Sequence, residues 1–182
     1  MKLQGIRVLD LSMFLPGPHL TMMMADHGAD VIRIEAPGEG EPSRNIGFRT
    51  HDESVWFRNT HRGKRSLTLD LKNPRGVELF MNLAKTADVI VESFRPGVVK
   101  RLGVDYDAVR EHAPGIVYCS ISAFGQTGAL AGRVAHDIAV QAQAGIASLT
   151  VGQDNKPALP AIPMADMSAS LMALSGILMA LY

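Results

Sequence analysis

The sequence predicts an α/β fold built on a mostly parallel sheet. Short β-branched runs recur along the chain, and segments with apolar residues at helical spacing separate them, the alternation expected of βαβ units. Bulk agrees: 182 residues with 47% hydrophobic side chains suffice to bury one sizeable core.

The elements follow in order. "IRVLDL" (6–11) reads as the first strand. Pro16, Gly17 and Pro18 then make a turn, and Leu20, Met23, Met24 and His27 recur at helical spacing until Gly28 supplies a stop. "VIRIE" (31–35) and "SLTLDL" (66–71) are the next strands. Asn73 and Pro74 form the cap and first position of a helix whose apolar face is Val77, Phe80, Met81 and Ala84. "DVIVES" (88–93) and "IVYCSIS" (116–122) complete the strand set. From "AHDIAVQAQAG" (135–145) the pattern changes to small-residue helices broken by the loop "GQDNKPALPAIP" (152–163). Tyr182 falls inside a helical pattern with no Gly, Lys or Pro stop, as expected of half of something larger.

The 18 basic residues balance 18 acidic ones, so the chain lacks the broad basic surface of a nucleic-acid or anionic-membrane binder. Any anionic partner must be met by a local cluster. A lone cysteine, Cys119, forms no internal disulfide, and "MKLQGIRVLDLS" lacks the apolar core and cleavage site of a signal peptide, which together point to the cytoplasm. The uncharged stretch Met167 to Tyr182 is 16 residues long with three serines, short for a membrane span and typical of a buried helix.

No G-x-G-x-x-G follows the first strand and no G-x-x-x-x-G-K-[ST] occurs, so the usual nucleotide fingerprints are missing. In "PGEGEPSR" (37–44), Glu39 and Glu41 would repel a phosphate. Between Ser54 and Leu69 there is no acidic residue, and Arg58, His61, Arg62, Lys64 and Arg65 form either a solvated basic loop or a phosphate site. A second group, Arg95, Lys100 and Arg101, follows the "DVIVES" strand. Ligands of parallel sheets bind at loops leaving the carboxyl ends of strands, so two basic loops there favour an anionic ligand. His136 and Asp137 are adjacent and would diverge by roughly 100° on a helix, too far to act as a base and its orienter. Cys119, inside a β-branched run, reads as a buried small residue rather than a nucleophile. Asp166 in "PMADMSAS" (163–170) suits a helix N-cap accepting the amide of Ser168 or Ala169, and the same helix end would hold it as an outward-facing anion. Cap and catalytic acid are compatible roles.

Taken together, "GIRVLDLSMFLPGP", "GADVIRIEAPGEGEPSR", "THRGKRSLTLDLKNP", "ADVIVESFRPGVVKRLGVDYDAV", "IVYCSISAFGQTG", "HDIAVQAQAG" and "PMADMSAS" resemble, in this order and spacing, the family III CoA-transferases, the CaiB/BaiF family, which includes the α-methylacyl-CoA racemases. The resemblance spans essentially the whole chain. It implies that residues 1–182 form a CoA-binding Rossmann-like domain lacking the family's C-terminal second half, whose members assemble as interlocked dimers. It implies acyl-CoA and a carboxylic acid as substrates, no metal, and Asp166 as the catalytic aspartate. It further implies CoA contacts at Leu15 and Pro16, at Leu69, Asp70, Leu71 and Lys72, at Ser93, Phe94 and Arg95, at Arg101, and near Ala135 and His136. Ala36 departs from the pattern, because several members place an Arg there, which leaves one adenine or phosphate contact unfilled unless Arg44 replaces it.

In transferases of this type the aspartate attacks the thioester, giving a mixed anhydride and CoA thiolate, with backbone amides at the helix start able to stabilise the oxyanion. In the racemases a His and an Asp exchange an α-proton, and His136 and Asp166 occupy the matching positions. A catalytically silent half-length CoA-binding or partner-binding homologue is the third alternative.

Overall fold

The computed structural model describes residues Met1–Tyr182. The central sheet contains β1 (Arg7–Asp10), β2 (Asp30–Glu35), β5 (Arg65–Thr68), β6 (Val89–Glu92) and β7 (Val117–Ser120), while β3 (Arg49–Thr50) and β4 (Glu53–Ser54) form a separate antiparallel hairpin. Every pairing in the central sheet is parallel, in the order β5-β2-β1-β6-β7. Chain order therefore reverses between β1 and β6, the switch point at which open α/β sheets bind ligands. The helices are α1 (Pro16–Asp26), α2 (Val55–His61), α3 (Pro74–Ala84), α4 (Val98–Leu102), α5 (Tyr106–Arg110), α6 (Asp137–Gln143), α7 (Ile146–Leu149) and α8 (Met164–Leu181).

Alternate residues of β1, β2 and β6 enter two cores, as the pleat requires. Leu9, Ile32, Ile34 and Ile90 pack on Phe80, Met81 and Ala84 of α3. Val8, Val31, Val89 and Val91 pack on Leu20 and Met24 of α1 and on Ile177 of α8. These strands are buried on both faces because helices cover both. The expected caps of α3 are present: Asn73 Oδ1 accepts the Arg75 amide at 2.9 Å, and Pro74 is the first helical residue. The strand expected over 66–71 is shorter. After Leu69 donates to the Glu35 carbonyl, Asp70 turns the chain by accepting the Lys72 amide, and Gly76 packs so close that a Cβ there would lie 1.9 Å from the Asp70 carbonyl oxygen.

The basic segment between Ser54 and Leu69 is not a loop. It forms α2 and β5, and its cations are paired internally: Arg62 with Asp26, Arg65 with Asp30 and Lys64 with Asp10. The reason lies in Asp10, which is fully buried at the carboxyl end of β1. Its Oδ2 accepts Lys64 Nζ at 3.0 Å and Thr21 Oγ1 at 2.7 Å, and its Oδ1 accepts the Ser12 amide at 3.0 Å and Arg33 Nη1 at 3.3 Å. Burial pushes the Asp10 carboxyl up, but Lys64, Arg33 and the two hydroxyls outweigh it and hold the group well below the usual carboxylate range. Gly17 packs over the same place, where a Cβ would lie 2.1 Å from Ser12 Oγ.

Glu41, read from sequence as a repeller of phosphate, is also buried. It accepts Arg33 Nη2 at 3.2 Å and the Phe14 amide at 2.9 Å. Arg44 is bound to both oxygens of Glu35, at 2.8 and 2.7 Å, and lies over the Phe57 ring at 3.9 Å, so it does not stand free in place of the arginine missing at Ala36.

α8 is not the buried helix expected. It docks on α1 through Ile177 and through Ser170, whose Oγ donates to the Pro16 carbonyl at 2.8 Å, but Leu171, Met172 and Met179 on its other side are 52%, 72% and 75% exposed. Its 18 residues are long and apolar enough to cross a membrane by length and composition alone.

Asp10→Ala leaves Arg33 and Lys64 buried without their shared counter-charge and is expected to lower unfolding free energy in urea by about 3–5 kcal/mol. Glu35 titrates at about 2 rather than 4.5: burial opposes the shift, and hydrogen bonds from Arg44, Ser66 and the Glu41 amide win. Its contribution is therefore present above pH 4.5 and lost as pH falls through about 2. Acid unfolding of Glu35→Gln should show a shallower pH dependence across that window.

Candidate active site at the sheet switch point

A cavity of about 540 Å³ opens at the carboxyl ends of β1, β6 and β7. β1 delivers Met13, Phe14 and Pro16 to its wall, β6 delivers Ser93, Phe94, Arg95 and Pro96, and β7 delivers Ile121 and Ser122. The opposite wall is the segment Ala131 to Asp137 with Val140, closed by Ala165, Asp166 and Ala169 of α8.

Six of the residues expected from sequence therefore meet here with Asp166: Pro16, Ser93, Phe94, Arg95, Ala135 and His136. Leu15 flanks the cavity as the residue preceding α1 but does not line it, and Arg101 lies exposed on α4. Leu69, Asp70, Leu71 and Lys72 follow β5, separated from the switch point by β2. Met13, Phe14, Ser122 and Arg133 are lining residues that sequence reasoning missed. No motif marks them; only the strand order places them together.

Asp166 is not the cap of α8. It is the third residue of that helix, after Met164 and Ala165, and Pro163 holds the cap position. The capping carboxylate comes from Asp137, whose Oδ1 accepts the amides of Ala165 at 2.8 Å and Asp166 at 3.1 Å. Its Oδ2 is held by Gln141 Nε2. The Met164 and Met167 amides go to the Ile162 and Pro163 carbonyls, so every amide of this first turn is engaged and none is left as an oxyanion donor. A hydroxyl is left instead: Ser122 Oγ is buried in the cavity wall without a partner.

The Asp166 carboxylate has no hydrogen-bond or ion-pair partner within the chain. Burial and the negative charge of Asp137 push it up to about 6, and His136 pulls it back. His136 precedes α6 in extended backbone and meets the Phe14 ring edge-on, with centroids 6.3 Å apart. Asp137, the first residue of α6, turns the other way to α8. The two adjacent side chains do diverge, yet both line one cavity. Phe14 adopts φ +65, a strained conformation for a non-glycine residue. It is held there by Glu41 on its own amide and by Ser93 Oγ on the Met13 amide at 2.8 Å.

Cys119 is no nucleophile candidate, because burial and Glu92 push its thiol up to about 11. No group of three or more His, Cys, Asp or Glu side chains has metal-site geometry.

Asp137→Asn keeps the acceptor that caps α8 and removes the like charge beside Asp166. The Asp166 carboxyl, followed by carbon-detected NMR titration, should then titrate below its value of about 6. Asp137→Ala should also cost roughly 1 kcal/mol in unfolding free energy through the lost cap.

The chain matches known proteins along nearly its full length. It is 38% identical over 177 residues to succinyl-CoA:glutarate CoA-transferase of Mus musculus, which covers 97% of this chain and 41% of the relative. It is 39% identical over 179 residues to acetyl-CoA:oxalate CoA-transferase of Acetobacter aceti, covering 98% of this chain and 46% of the relative. The crystal structure of a CaiB/BaiF family protein from Brucella suis superposes with a TM-score of 0.92 at 35% identity, over 98% of this chain and 48% of that one. The chain thus spans somewhat under half the length of these relatives. The model of the CoA-transferase family III matches residues 3–182, and the chain belongs to that family.

Proposed function

We propose that this chain is the CoA-binding half of an acyl-CoA:carboxylate CoA-transferase in which Asp166 is the nucleophile. The observation that carries this reading is Asp166 itself: an unpartnered carboxylate in a cavity at the switch point, its pKa raised to about 6 by burial and by Asp137. The guanidiniums of Arg95 and Arg133, neither paired with a carboxylate, line the same cavity and suit an anionic ligand. The relatives' names, succinyl-CoA:glutarate and acetyl-CoA:oxalate CoA-transferase, point to the same chemistry with dicarboxylic acids.

In this mechanism an Asp166 oxygen adds to the thioester carbonyl carbon and the C–S bond breaks, giving an acyl-aspartyl anhydride and CoA thiolate. Ser122 Oγ is the available donor to the developing oxyanion. The acceptor carboxylate attacks the aspartyl carbonyl and displaces the donor acid, leaving a new anhydride. The thiolate then attacks the acceptor-derived carbonyl, the C–O bond breaks, and Asp166 is regenerated. A raised pKa makes the carboxylate a better nucleophile once ionised. The exposed face of α8, with Leu171, Met172 and Met179, is where the remaining half of the assembly, from a second copy or a partner chain, would cover the domain. Light scattering showing a soluble monomer at high concentration would contradict that assembly.

A second reading, α-proton exchange between His136 and Asp166, has one observation in its favour: both line the cavity. The two readings separate experimentally. Asp166→Ala should abolish CoA transfer from succinyl-CoA to glutarate while CoA still binds, and turnover near wild type would refute the mechanism. Turnover should rise with pH through about 6 as Asp166 ionises. His136→Ala should lower transfer only partly, whereas near-complete loss together with deuterium wash-in at the α-carbon would establish the racemase reading.

A further inference from the structure

Arg133 lines the cavity yet has no part in holding the fold. Its one side-chain contact is Nη1 to the Gln143 amide oxygen at 3.4 Å, long for a hydrogen bond, and it pairs with no carboxylate. Most arginines of the chain, Arg7, Arg33, Arg44 and Arg65 among them, meet acids; Arg133 and its cavity neighbour Arg95 do not. Arg133 sits three residues before His136 and four before Asp137, whose Oδ1 lies 3.1 Å from the Asp166 amide nitrogen. Arg133 and the reacting carboxylate of Asp166 line the same cavity. Asp137 makes no ion pair with it; its carboxylate is turned to the α8 amides and to Gln141. The neighbouring wall is apolar at Val134, Val140 and Ala169.

We propose that Arg133 binds the distal carboxylate of a dicarboxylic acyl group, of the succinyl or glutaryl class, while Asp166 meets the thioester carbonyl at its other end. This rests on the CoA-transferase reading and names its substrate class and the residue that selects it. A guanidinium takes a carboxylate through two parallel charge-assisted hydrogen bonds. An alkyl acyl group of equal length would cover Arg133 without pairing it, so the site discriminates against monocarboxylic thioesters.

The test uses two unreactive thioethers of equal length, S-(3-carboxypropyl)-CoA and S-butyl-CoA, with free CoA as reference, titrated calorimetrically into wild type, Arg133→Gln and Arg133→Lys. Wild type should bind the carboxypropyl compound about tenfold or more tightly than the butyl one. The ratio should fall near unity in Arg133→Gln and recover in part in Arg133→Lys, which keeps the charge but not the fork. Because the ratio cancels any general loosening of the CoA site, a merely structural role would not move it. Wild type binding CoA without a preference, or a preference that survives in Arg133→Gln, overturns the proposal alone. Absence of CoA binding altogether overturns the CoA-transferase reading and the proposal with it.

Discussion

The structure depends on one buried carboxylate. Asp10 ends β1 with no exposure to solvent, and an isolated charge there would be prohibitive. It is tolerated because four elements converge to satisfy it: Arg33 from β2, Thr21 from α1, Lys64 from the turn before β5, and Ser12 from its own loop. That convergence fixes the carboxyl edge of the sheet. Arg33 carries the network onward to Glu41, and Glu41 takes the Phe14 amide, so a chain of buried charges ends at the strained residue that faces His136. The charges in the first half of the sequence thus set the geometry of a wall whose chemistry lies in the second half.

Asp137 does for α8 what Asp10 does for β1. By taking two amides at the helix start it anchors α8 to α6 and leaves Asp166 without the donors that would otherwise stabilise its anion. Two carboxylates of opposite assignment result: one spent on structure, one free and raised toward neutrality by burial and by its neighbour. A carboxylate in that state is poised to react with an electrophile.

Much of the fold was legible because central strands and amphipathic helices write their burial directly into residue type. The five sheet strands and the cap of α3 are examples. What was not legible depended on partners distant in sequence. The cations of "RNTHRGKRS" look free when read along the chain, yet Asp10, Asp26 and Asp30 occupy three of them from 35 to 54 residues away. Asp166 looked like a cap because its own cap, Asp137, comes from another helix. Phe14, Ser122 and Arg133 carry no local signal and become site residues only when β1, β6 and β7 are set side by side. The hairpin of β3 and β4 and the short helices α4 and α5 escaped for a simpler reason: they are too brief for periodicity to register.

The most direct test of this account is to trap the acyl group. The protein, incubated with succinyl-CoA and quenched with hydroxylamine, is digested and mapped by mass spectrometry. The account predicts a hydroxamate on Asp166, absent when free succinate replaces the thioester. A hydroxamate on another residue, or none while CoA binds at the cavity, would contradict it.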